Sequence, residues 1–147
     1  MSNLRLRPAT LDDLELTYAI TEDAMRAYIE QTWGDWNSDE QQRKHLANFT
    51  PATHRIILAD DAVAGFVAIE TFPTYTWLVK LYLFKEYRGR GIGSKILQDL
   101  LDDARTQGKR VTLQVLSVNK RAQALYARHG FKITEARAER LFMATEV

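Results

Sequence analysis

Apolar and polar residues alternate from Asn3 to Arg7, with Leu4 and Leu6 on one side, the period of a short strand. Pro8 is expected to end it. Thr10, with Asp13 three residues on, reads as a helix N-cap. Leu14, Tyr18, Met25 and Ile29 then share one helical stripe and predict a long first helix. The segment Thr32-Trp33-Gly34-Asp35-Trp36-Asn37 breaks that period. Ser38 with Gln41 has the form of a capping box and predicts a second, shorter helix to about Ala47. Arg55 to Ala59, Val63 to Thr71 and a run ending at Phe84 read as three successive strands, separated by turns at Asp60-Asp61 and Pro73-Thr74.

The pattern changes back to a helical period after Phe84. Ile92, Ile96, Leu97, Leu100, Leu101 and Ala104 form one apolar face, and Gly108 is a fitting stop. Val111 to Leu116 is a buried-type strand. Ala122, Leu125, Tyr126 and His129 lie on one side of a further helix, which Gly130 terminates. Phe131 to Thr134 and Arg140 to Ala144 read as a closing hairpin. The order β-α-α-β-β-β-α-β-α-β-β predicts an α/β (α+β) domain with antiparallel and parallel parts, spanning residues 1–147 without repeat or linker.

Composition narrows the chemistry mainly by exclusion. A net charge of +1 gives no bias toward nucleic acid or a membrane surface. The chain has no cysteine, so disulfides, a thiolate nucleophile and Cys-based metal sites are all excluded. His45, His54 and His129 form no HxxxH pair, and no metal is expected. There is no apolar signal region or membrane-length run, which makes a cytoplasmic protein the expectation.

The most informative segment is Arg88-Gly89-Arg90-Gly91-Ile92-Gly93-Ser94, between a β-leaning run (Trp77 to Phe84) and the amphipathic helix. Alternate glycines let the backbone turn tightly and leave its N–H groups uncovered. Those groups stand at a helix start, where amide donors are unsatisfied and the macrodipole is positive. The combination predicts an anion site, best suited to a phosphate or pyrophosphate, with Arg88 and Arg90 adding charge. Gly93-Ser94-Lys95 has the wrong order for a Walker A loop, and Gly89, Gly91 and Gly93 do not have the dinucleotide spacing. A protein built for ATP, GTP or NAD is therefore disfavoured.

Arg88-x-x-Gly91-x-Gly93 resembles the pyrophosphate loop of the GNAT superfamily of acetyl-coenzyme A-dependent N-acetyltransferases. Asn119-Lys120-Arg121-Ala122-Gln123-Ala124-Leu125-Tyr126, running on to Gly130-Phe131, resembles a second element of the same family, at the family's distance from the first. The Trp-Gly-x-Trp segment at Trp33–Trp36 resembles a bacterial-type subgroup. Lys85 departs from the proline that many relatives carry after the strand.

The resemblance implies a mixed, mainly antiparallel sheet of about six or seven strands with about four helices, and a V-shaped splay between two central strands that admits pantetheine. It implies acetyl-CoA as co-substrate, an amine acceptor (small molecule or protein amine), and a homodimer as a common assembly. The coenzyme would contact the backbone of Leu81, Tyr82 and Leu83, the loop Arg88, Gly89, Arg90, Gly91, Ile92, Gly93 and Ser94, and Asn119, Arg121 and Tyr126. Tyr126 would protonate the departing thiolate, although as a residue of an apolar stripe it also reads as a packed core tyrosine. Asn119 also reads as a simple N-cap, which is compatible with a coenzyme contact.

The general base is less defined. Glu70, near a strand end, is the candidate, against an exposed carboxylate beside a turn or a chain of waters in its place; His129 reads better as a surface residue. Tyr28, Trp33 and Trp36 are the candidate acceptor face, and they read equally as residues that staple helices to the sheet. The expected function is direct acetyl transfer in a ternary complex. The alternative is a GNAT-fold protein that binds acyl-CoA without turnover.

Overall fold

The computed structural model describes residues 3–146. Seven strands and four α-helices follow the expected order: β1 (Leu4–Pro8), α1 (Leu14–Trp33), α2 (Ser38–Asn48), β2 (His54–Ala59), β3 (Ala62–Thr71), β4 (Tyr75–Leu83), α3 (Ile92–Thr106), β5 (Arg110–Leu116), α4 (Lys120–Arg128), β6 (Lys132–Arg137) and β7 (Arg140–Ala144). They build one seven-stranded mixed sheet in the order β1-β2-β3-β4-β5-β7-β6. All pairings with a described register are antiparallel except β4 with β5. The chain divides into two compact units, Met1–Ala68 with Lys80–Gly89, and Ile69–Val79 with Arg90–Val147.

In the first unit, Asp60 and Asp61 both take positive φ (50° and 69°), the geometry of a tight hairpin turn between β2 and β3. The β2–β3 register slips between Ile57 and Leu58, so that Ala64 on β3 is left over as a bulge. The core joins Ala9, Ile20, Ile56, Leu58 and Phe66, with Leu16, Phe49, Tyr82 and Phe84 packed against it.

Pro8 is the last residue of β1, as expected, and pairs opposite Arg55; an edge strand tolerates a residue without an N–H at its end. Two local expectations needed correction. Asn37, not Ser38, caps α2: its side chain accepts the Glu40 N–H at 3.0 Å. On α1 the fully buried positions are Thr17 and Ile20, whereas Leu14, Tyr18, Met25 and Ile29 are half-buried. Thr17 can take a core position because its hydroxyl donates to the Asp13 carbonyl at 2.8 Å and meets His45 Nε2 at 2.8 Å.

In the second unit, β4 and β5 pair in parallel at Tyr75↔Arg110, Thr76↔Val111 and Trp77↔Thr112. Past that last pair β4 continues to Leu83 and β5 to Leu116. The connection runs through α3, whose Ile92, Ile96, Leu97, Leu101 and Ala104 are buried, and the helix packs on β5. Gly108 at φ 69° closes it as expected. The β6–β7 hairpin completes the unit.

Candidate active site

The glycine loop divides at Gly89/Arg90 between the two units. On the first side the loop is fastened down. Arg88 donates through Nε to the Leu83 carbonyl (3.1 Å) and through Nη2 to the Asp23 carbonyl (3.0 Å) and carboxylate (3.1 Å). The same Asp23 oxygen accepts the Lys85 N–H at 2.8 Å. Arg88, read from sequence as a charge beside the anion, is therefore engaged in holding the exit of β4 to α1. Asp23 was not foreseen, and no local signal marks a carboxylate whose partner is 65 residues away.

On the other side, Gly91 is the N-cap of α3 in the left-handed conformation at φ 81°, with no side-chain cap. The first intrahelical bond is Lys95 N–H to the Gly91 carbonyl at 3.0 Å. The N–H groups of Ile92, Gly93 and Ser94 thus lack an intrahelical acceptor and share the positive end of the helix dipole. A Cβ at Gly91 would meet nothing within 4 Å, so there is open space on that side of the backbone. Gly89 is also left-handed, at φ 75°.

Farther along the second unit, Asn119 caps α4: its side chain accepts the Ala122 N–H at 3.1 Å, and the residue is buried. Tyr126 on that helix is 8% exposed, with its ring 5.5 Å from that of Phe131. Arg121 is exposed on the first turn, and Glu70 on β3 is half-buried. No group of three or more metal-ligating side chains occurs among the described residues. No described helix is long and apolar enough to cross a membrane.

The aromatic candidates separate. Trp36 is buried, and its indole N–H donates to the Tyr18 hydroxyl at 3.3 Å. Trp33 is 52% exposed and Tyr28 half-buried. Leu81, Tyr82 and Leu83 are half-buried on β4. Gly65 of β3 lies so close to this segment that a Cβ there would stand 2.0 Å from the Tyr82 carbonyl oxygen. The β4 backbone is thereby seated against the β3 bulge, where Phe84 N–H also donates to the Ala64 carbonyl at 2.8 Å.

The first unit also holds a line of rings that sequence reading missed. Tyr18, His45, Phe49, His54, Phe66 and Tyr82 follow one another at centroid separations of 5.8, 5.7, 4.8, 5.5 and 5.6 Å. Burial, then the nearby Lys80 ammonium and His54, push the His45 pKa down to about 4. His54 is lowered for the same leading reason. Lys80 is itself lowered by desolvation. The available signal was Lys80, the one charge inside the otherwise apolar and aromatic run from Trp77 to Phe84.

Residues 17–131 match the family model described as the acetyltransferase (GNAT) family. The chain belongs to the GNAT acetyltransferases. A Bacillus subtilis (strain 168) relative that carries the name phosphinothricin acetyltransferase is 28% identical over 136 residues, 87% of this chain and 83% of its own length. The spermine/spermidine N(1)-acetyltransferase of the same strain is 30% identical over 80 residues, 48% of this chain and 53% of its own. Among solved structures, the PaiA N-acetyltransferase of Thermoplasma acidophilum, in complex with coenzyme A, matches with a TM-score of 0.77 at 17% identity over 99% of both chains. This GNAT protein is thus an acyltransferase with the GNAT fold. The names of its relatives span different acceptors.

Proposed function

We propose that this GNAT protein moves the acetyl group of acetyl-CoA to a primary amine by direct transfer in a ternary complex. The observation that carries the reading is the start of α3. A left-handed glycine cap with no side chain over it leaves three successive N–H donors at the positive end of a helix. A pyrophosphate fits that arrangement through backbone alone. Coenzyme A in the T. acidophilum relative supports the same ligand here.

The chemistry asks four things of the chain: a held thioester, a neutral amine, a donor for the oxyanion and a proton for the thiolate. The β4 segment Leu81–Leu83 is assigned the thioester and the donor, through its backbone. The amine nitrogen attacks the carbonyl carbon, the C–S bond breaks as the tetrahedral intermediate collapses, and the Tyr126 hydroxyl gives its proton to the leaving sulfur. The proton lost by the amine passes to Glu70 or to water, and Tyr126 is reprotonated from solvent. With no cysteine in the chain, an acetyl-cysteine intermediate is excluded.

The test is thiol release from acetyl-CoA against a panel of amines, amino acids and short peptides, with calorimetry of CoA binding in parallel. Turnover with one acceptor class is expected. Gly91→Glu is expected to abolish CoA binding, because it places bulk and negative charge where backbone meets pyrophosphate. Unchanged CoA affinity in that variant refutes the site.

A further inference from the structure

Asp13, Glu22, Asp23 and Glu30, on α1 and the turn before it, are matched by partners. Arg26 pairs with Glu22 and Glu30, Arg88 and the Lys85 N–H hold Asp23, and Arg7 pairs with Asp13 at 2.9 Å. Lys80 is the reverse case. It is half-buried on β4, on the face of alternate residues that includes Tyr82, and it makes no ion pair among the described residues. Its positive charge acts on His45 and His54, neither of which can neutralise it.

His45 is kept neutral with a fixed role. The Thr17 hydroxyl spends its proton on the Asp13 carbonyl, so His45 Nε2 is the donor to Thr17. His54 has the opposite tautomer. Its Nδ1–H donates to the Thr50 carbonyl at 2.8 Å, which leaves a lone pair on Nε2. That nitrogen is buried, in a residue 4% exposed, and has no hydrogen-bond partner. A desolvated cation without a counter-charge and a buried acceptor without a donor are both costly to keep. A ligand that brings a negative group would relieve the first.

We propose that Lys80 is the acceptor-specificity residue of this protein and receives the carboxylate of a carboxylate-bearing amine. The inference rests on the acetyltransferase reading and names the substrate class within it. Lys80 immediately precedes the Leu81–Leu83 backbone assigned to the thioester, so a carboxylate on Lys80 anchors the acceptor one strand position from the reacting group, at about 3.4 Å per residue. An amine acid is therefore favoured over the polyamine that lacks its carboxylate. A polyamine would bring further positive charge to an unneutralised ammonium.

The decisive comparison uses amines that differ only by a carboxylate: L-lysine against cadaverine, and L-ornithine against putrescine. Thiol release is measured with the wild type, Lys80→Gln and Lys80→Arg, and CoA affinity is measured by calorimetry in each. The wild type is expected to favour the amino acid in kcat/KM by at least about tenfold. Lys80→Gln is expected to erase that ratio through the KM of the amino acid, with CoA affinity unchanged, and Lys80→Arg to restore most of it. A ratio that Lys80→Gln leaves intact, or a wild type that favours the diamine, overturns the proposal while the transferase stands. Should none of the four amines turn over, the 15N resonance of His54 Nε2 gives the answer. A shift with L-lysine but not with cadaverine, absent in Lys80→Gln, supports the site, and no shift overturns it. A wild type that fails to bind CoA overturns the transferase reading instead.

Discussion

Arg88 and Asp23 are joined by an ion pair of 3.1 Å, and through it the first residue of the glycine loop is tied to the middle of α1. Asp23 also takes the Lys85 N–H, so one carboxylate fixes two points of the segment that leaves β4. Both side chains are partly exposed, at 27% and 39%, which limits the pair itself to about 1 kcal/mol or less. Its consequence for binding is larger than its energy, because the loop's N–H groups serve only if the backbone is in place. Asp23→Ala and Arg88→Ala are each expected to raise the CoA Kd several-fold, and the double variant no further. A double-mutant cycle by calorimetry checks this. If the losses of the two single variants simply add in the double variant, the pair does not act as one unit and the positioning role is wrong.

Tyr126→Phe removes one oxygen and keeps the packing against Phe131. A thiolate is a good leaving group, so loss of a general acid is expected to lower kcat by about 100-fold, the low end of what such a group supplies. CoA affinity should stay within a few-fold. Single-turnover thiol release, which isolates chemistry from product release, is the measurement. Wild-type rates in the variant would remove Tyr126 from the mechanism and leave it as a buried aromatic.

The features that sequence made visible are those set by local rules. The left-handed cap at Gly91, the Asn119 cap, the Asp60-Asp61 turn and the alternation of strands each depend on neighbours within a few residues. The parts that escaped are made by pairing across the fold. Thr17 is a poor core residue by type, and only the distant His45 nitrogen and the Asp13 carbonyl make its burial tolerable. Trp36 is an aromatic in a polar break, and nothing local tells an acceptor platform from a residue whose N–H is spent on Tyr18. His45 and His54 lacked a metal-like spacing and carried no signal; their role as rings in an apolar line exists only once α1, α2 and three strands are assembled.

Gly65→Ala tests the seat of β4. The added Cβ would lie 2.0 Å from the Tyr82 carbonyl oxygen and 2.8 Å from the Leu83 Cα. Both obstacles are backbone, so relief requires β4 to move away from the β3 bulge. A loss of at least about 2 kcal/mol in denaturant stability is expected, the range of overpacked buried sites. Because the displaced segment is the one assigned to the thioester, the surviving folded protein should also lose turnover on acetyl-CoA beyond what stability explains. A variant with wild-type stability and rate would mean that β4 accommodates the methyl without shifting.

Acid should weaken this fold in two separate steps. His45 titrates at about 4 when folded and at 6.5 when free, so between these values the unfolded chain binds more protons than the folded one. Stability therefore rises with pH across that window and is lost as pH falls through it, by at most about 3 kcal/mol for His45. His54, lowered in the same direction, steepens the slope. Asp13 behaves differently. The Arg7 guanidinium and the Thr10 N–H hold its carboxyl below the ordinary value of 3.8, so its contribution is present above that pH and disappears only below it. Urea unfolding at pH 7, 5 and 4 should show the first loss before any effect of Asp13. His45→Gln should make the curve shallower between 6.5 and 4, leaving the slope that His54 contributes. A wild-type stability that is level from pH 6.5 to 4 would show that His45 is free to protonate in the folded state.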